Sequence, residues 1–123
     1  MILVVDDSPT VLYALRAVLE EAGYEVATAA DGIEALRLLD EGLKPAAILT
    51  DFCMPGLDGN DFINRLGERT EVPVLILSGY VDEVRQDVKQ KVKGVYTKPL
   101  ESNVLIEIVR QWTPPDRAGE EET

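Results

Sequence analysis

Residues 2–9 read Ile2-Leu3-Val4-Val5-Asp6-Asp7-Ser8-Pro9. An apolar run with no polar alternation is what a strand covered on both faces requires. Two acids close the run, and Ser8 followed by Pro9 supplies a helix cap and an N1 proline. Val11, Leu12, Leu15, Val18, Leu19 and Ala22 then recur at helical spacing, and Gly23 stops the helix at its C′ position. The stretch is therefore a buried strand, an acidic turn and an amphipathic helix.

The same unit recurs along the chain. Glu25–Ala29 reads as a second strand, and Asp31-Gly32-Ile33-Glu34 is a capping box that opens a helix with Ala35, Leu36, Leu38 and Leu39 inward. Ala46–Thr50 is a third strand, followed by a loop broken by Pro55, Gly56 and Gly59 and a short helix burying Phe62, Ile63 and Leu66. Val72–Leu77 is a fourth strand. Val81, Val84, Val88 and Val92 then form one stripe of an expected fourth helix, with charged residues opposite. Gly94–Thr97 is a fifth strand, and Val104, Leu105, Ile108, Val109 and Trp112 stripe the last helix. Strict alternation implies an α/β domain: a doubly wound, five-stranded parallel (βα)5 sheet. The expected flavodoxin-like strand order is 2-1-3-4-5. Residues 1–112 make this domain. Residues 113–123, which begin Thr113-Pro114-Pro115, are expected to be a disordered tail or linker stub.

Composition excludes several functions. The 123 residues correspond to one domain, and the net charge of −11 argues against a nucleic-acid surface, which needs clustered Lys and Arg. With no histidine, no Ser-His-Asp triad, Cys-His pair or His-ligated zinc site can be assembled. The single cysteine, Cys53, cannot form an internal disulfide, in keeping with a reducing, cytoplasmic setting. The longest apolar runs fall far short of the ~20 residues of a membrane span. Met1–Val5 has no basic flank and so is not a signal peptide.

Ligands of parallel α/β sheets sit beyond the carboxyl ends of the strands. Here those ends carry Asp6 and Asp7, then Asp51, then Ser78, then Lys98 followed by Pro99. Three clustered carboxylates repel, and the simplest remedy is a hard divalent cation, Mg²⁺ or Mn²⁺, which leaves room for a phosphate oxygen. Lys98 adds a positive point charge for that phosphate and Ser78 a hydrogen-bond donor. A carboxylate can be the nucleophile in phosphoryl transfer, and Asp51 faces both groups. Singly, each acid also fits a solvated helix start, Ser78 a helix cap and Lys98 a surface lysine. Their joint occurrence behind the buried strands does not fit that reading.

Asp6-Asp7, the block Asp51-x-x-Met54-Pro55-Gly56-x-Asp58-Gly59, Ser78-Gly79 and Lys98-Pro99 have this order, spacing and placement at strand ends. In all of these, residues 1–112 resemble a receiver domain of the two-component response regulators. The resemblance implies that Asp7 and Asp51 ligate Mg²⁺ directly, Asp6 through water, and Cys53 through its backbone carbonyl. Asp51 would be the phosphoacceptor, Ser78 and Lys98 would hold phosphoryl oxygens, and Gly79 would keep access open. Pro99 would follow Lys98 through a cis peptide. The implied partners are a sensor histidine kinase or histidine phosphotransfer domain and a downstream effector, with a phosphorylation-dependent homodimer as a further expectation. The implied role is signalling, with catalysis limited to the domain's own phosphorylation and dephosphorylation.

One position departs from the pattern. Receivers usually carry Tyr or Phe three residues before the lysine, where this chain has Val95. Tyr96 follows one residue later, and a one-residue offset turns a strand side chain to the opposite face. Two alternatives fit the residues less well. An aspartyl-phosphate hydrolase generally needs a second Asp two residues after the nucleophile, where Cys53 stands. A non-phosphorylated docking module of the same fold would have lost part of the acidic set, all of which is present.

Overall fold

The structure, a computed structural model, describes residues 1–52, 54, 56–79 and 84–116. The strands are β1 (Ile2–Val5), β2 (Val26–Ala29), β3 (Ala47–Thr50), β4 (Val74–Ser78) and β5 (Gly94–Thr97). The intervening helices are α1 (Pro9–Glu21), α2 (Gly32–Asp40), α3 (Gly59–Gly67), α4 (Gln86–Lys89) and α5 (Ser102–Trp112). All strand pairs are parallel and the sheet order is β2-β1-β3-β4-β5, the expected flavodoxin-like arrangement.

Strand alternation divides the core into two layers. Leu3, Val5, Ile48, Val74 and Ile76 face α2, α3 and α4, where Ala35, Leu36, Phe62, Ile63, Leu66 and Val88 meet them. Ile2, Val4, Leu49, Leu75 and Leu77 face α1 and α5, against Leu19, Leu105 and Val109. Each fully buried side chain of this kind contributes about 1.5–3 kcal/mol, which makes the two layers the main source of stability. The helix starts follow from their caps. Ser8 Oγ accepts from the Val11 amide at 3.3 Å, Asp31 accepts from Glu34 at 2.7 Å, and Asp58 accepts from Asn60 at 2.8 Å. Gly23, beyond the end of α1, has φ of 99°, a conformation that glycine adopts without steric cost.

Two expectations change. The fourth helix is much shorter than its valine stripe suggests: among the described residues only Gln86–Lys89 is helical, while Val81 lies outside them. Val84, Val88 and Val92 are buried as the stripe requires. However, β-branched residues are poor helix formers, and Arg85 at the N-cap makes no side-chain capping bond. The second change is at the C-terminus, where residues 113–116 are held to the domain. Tyr24 Oη donates to the Thr113 carbonyl at 2.7 Å, and the Asp116 carboxylate accepts from the Met1 ammonium at 2.7 Å and the Glu25 amide at 2.8 Å. Polar partners hold this segment, and apolar periodicity does not register them. Residues 117–123 lie outside the described residues.

Candidate functional site

The carboxyl ends of the strands extend the sheet ladder by one residue. Asp6 donates its amide to the Ala29 carbonyl at 3.1 Å, Asp51 donates to Val5 at 2.8 Å, and Lys98 donates to Ser78 at 3.0 Å. Three of the charged residues therefore take their backbone positions from the sheet. The side chains converge as a result. Carboxylate oxygens of Asp6, Asp7 and Asp51 lie within 4.8 Å of one another.

The Lys98 ammonium lies among them, 2.6 Å from Asp6 Oδ2 and 3.4 Å from Asp51 Oδ2. Burial by itself would push this ammonium toward a lower pKa. The hydrogen bond to Asp6 and the charges of Asp51 and Asp6 outweigh it, so Lys98 is held above the usual lysine value. Asp6 is buried and its Oδ1 accepts from the Ser8 amide at 2.9 Å. Asp51 is 12% exposed, its Oδ1 accepts from the Phe52 amide at 2.7 Å, and Asp7 is exposed. One ammonium against three carboxylates leaves the cluster net negative. A set of hard oxygen donors open on one side fits a small divalent cation that keeps part of its water.

Ser78 ends β4, fully buried, and pairs across to Thr97. Gly79, which follows it, is exposed, and among the described residues a Cβ there would meet nothing within 4 Å. The Lys98–Pro99 peptide is cis. Cys53 lies outside the described residues. Val95 packs with the α2–α4 layer, whereas Tyr96 packs with the α1–α5 layer, its ring over Gly94. An open groove between α1 and α5, lined by Val18, Glu21, Ala22, Ile106, Glu107 and Arg110, does not include Asp6, Asp7 or Asp51.

Sequence reading missed two features of this region. Asp58 appears in the motif block without a role, and it is the cap of α3; its offset from Asp61 gives a local signal for that. Gly59 is required because a Cβ there would collide with the Phe52 carbonyl oxygen and stand 2.8 Å from its ring. No sequence pattern signals that close approach.

Comparison with known proteins agrees with the geometry. The response regulator receiver domain family profile matches residues 2–110. Protein PilH of Pseudomonas aeruginosa is 34% identical over 113 residues, covering 88% of this chain and 93% of that protein. The transcriptional regulatory protein PrrA of Mycobacterium tuberculosis is 43% identical over 95 residues, 76% of this chain but 38% of PrrA. The response regulator protein TrrA from Thermotoga maritima, crystallised in complex with Mg²⁺–BeF, superposes with a TM-score of 0.81 at 28% identity, covering 90% of this chain and 96% of that one. Receiver domains as a family bind Mg²⁺ at an acidic pocket and act as signalling domains that interact with histidine kinases and effectors. Among the described residues, no helix is long and apolar enough to cross a membrane. With a matching profile over nearly its whole length, the chain belongs to the response regulator receiver domain family.

Proposed function

We propose that this domain is a Mg²⁺-dependent phosphoacceptor that takes a phosphoryl group from a phosphohistidine onto Asp51. The observation that carries this reading is the convergence of Asp6, Asp7 and Asp51 within 4.8 Å, with Lys98 bridging Asp6 and Asp51. Asp6, Asp7 and Asp51 would hold the cation, as would the Cys53 carbonyl on the family pattern. When bound, the cation supplies charge neutralisation for the phosphoryl oxygens.

The chain's own residues do the rest. An Asp51 carboxylate oxygen bonds to phosphorus as the phosphorus–nitrogen bond breaks, and that electron pair returns to the imidazole of the donor. Lys98 and Ser78 hold the phosphoryl oxygens, so the step needs positioning and charge stabilisation more than covalent machinery. Gly79 has no side chain and is exposed, which favours access for an approaching protein side chain. Water later cleaves the acyl phosphate, releasing inorganic phosphate and restoring the Asp51 carboxylate. The partners would be a histidine kinase or phosphotransfer domain and an effector.

Intact mass spectrometry after incubation with Mg²⁺ and a small acyl-phosphate donor tests the reading. One phosphoryl adduct is expected, absent in Asp51→Ala and absent in EDTA. The absence of an adduct with every donor, a cognate kinase included, would refute it.

A further inference from the structure

Val95, on β5, packs with the α2–α4 layer where the family pattern has an aromatic ring. The described residues contain a contiguous link from Asp51 to the α4 segment. Asp51 Oδ1 accepts from the Phe52 amide at 2.7 Å, and the buried Phe52 lies against Gly59 with no room for a Cβ between them. The next residue, Asn60, is a buried polar side chain whose Oδ1 accepts from the Arg85 amide at 3.2 Å. Arg85 is the N-cap residue of α4 and makes no capping bond with its own side chain. Thus the start of α4 is held by a residue of α3, and α3 is held against the backbone next to the acceptor.

We propose that Asn60 is a positioning residue that couples the state of Asp51 to the start of α4, through Phe52 and Gly59. The inference rests on the phosphoacceptor reading and specifies how that site is read out. A new ligand on Asp51 competes for the Oδ1 lone pairs that the Phe52 amide now uses. A shift of Phe52 passes to Gly59, because the Phe52 carbonyl oxygen and ring fill the space where a Cβ of residue 59 would stand. Asn60 then carries the displacement to Arg85, since its amide oxygen is buried and loses a partner if the bond breaks. Asn60 is the second residue of α3, where an acid is favoured by the helix dipole, so Asn60→Asp keeps the acceptor oxygen at small cost.

The test uses beryllofluoride with Mg²⁺ as the phosphoryl mimic and amide chemical shifts as the readout. Wild type is expected to shift at Phe52 and at Arg85–Val88. Asn60→Leu is expected to keep the Phe52 shift at equal saturation and lose most of the shift at Arg85–Val88, and Asn60→Asp to regain it. Retention of the full α4 response in Asn60→Leu would overturn the coupling while leaving the phosphoacceptor reading intact. No shift at Phe52 in wild type would overturn both. A second measurement needs no mimic. The Arg85 amide is expected to be protected from hydrogen exchange in wild type and about five-fold less so in Asn60→Ala. An unprotected Arg85 amide in wild type would also overturn the proposal.

Discussion

Removing the ammonium from the acidic cluster should cost stability in proportion to the two contacts it makes. Lys98→Met keeps an apolar stem of similar length but leaves Asp6, whose side chain is 3% exposed, with no cation beside it. At the 2.6 Å and 3.4 Å separations from Asp6 and Asp51, even bulk-water screening gives about 1.6 and 1.2 kcal/mol. Breaking a fully buried pair costs about 3–5 kcal/mol, but Lys98 is 28% exposed and Asp51 12%, so solvent takes part of that. The expected loss is about 2 kcal/mol, or about 6–10 °C in Tm for a chain of this size.

Urea denaturation in EDTA at neutral pH measures it. Because Lys98 has a raised pKa in the folded state, its contribution is complete below the ordinary value of 10.5 and is lost as pH rises through the folded value. The gap between wild type and Lys98→Met should therefore stay constant from about pH 7 to 9 and close above about 10.5. Millimolar Mg²⁺ should narrow it, because a divalent cation neutralises the same carboxylates. Midpoints in EDTA that agree to within about 0.5 kcal/mol would refute the electrostatic account of this site.

Two other substitutions follow from close contacts. Gly59→Ala places a Cβ on the Phe52 carbonyl oxygen, so one of the two backbones must move; a loss of about 1–3 kcal/mol is expected in urea midpoints, and unchanged stability would show that the approach is looser than described. Tyr24→Phe keeps the ring but removes the donor to the Thr113 carbonyl, with an expected loss of about 1 kcal/mol by thermal melting. Burial raises the Tyr24 pKa, the Asp116 charge adds to this, and Arg110 opposes it. That bond should therefore persist through neutral pH and be lost only as pH rises past the ordinary tyrosine value of 10.0.

The fold was legible because the apolar runs at Ile2–Val5 and Val72–Leu77 have no polar alternation and each is followed by an apolar stripe at helical spacing. Burial at Val84, Val88 and Val92 was legible too, and so was a helix there, but its length was not. A stripe reports which residues face inward, and the hydrogen bonding between them depends on propensity and capping. The carboxylates and the lysine could be located because strand ends in a parallel sheet converge. The links around them could not. Phe52 against Gly59, Asn60 on Arg85, and Tyr24 on Thr113 join residues far apart in sequence or depend on packing distance, and neither periodicity nor motif encodes them.

The ladder bonds that carry Asp6, Asp51 and Lys98 also fix how the site melts. Each of these amides donates to the carbonyl of a neighbouring strand; Asp6 and Asp51 continue the central strands β1 and β3, whereas Lys98 continues the edge strand β5. Local opening in proteins starts where few buried contacts oppose it, at loops and ends, and reaches central strands only with global unfolding. Asp6 and Asp51, on the central strands, therefore belong to the last cooperative unit to open, while Lys98 sits on an edge that can open earlier. Fraying of the α4 segment or of residues 113–116 can occur while Asp6 and Asp51 stay in place.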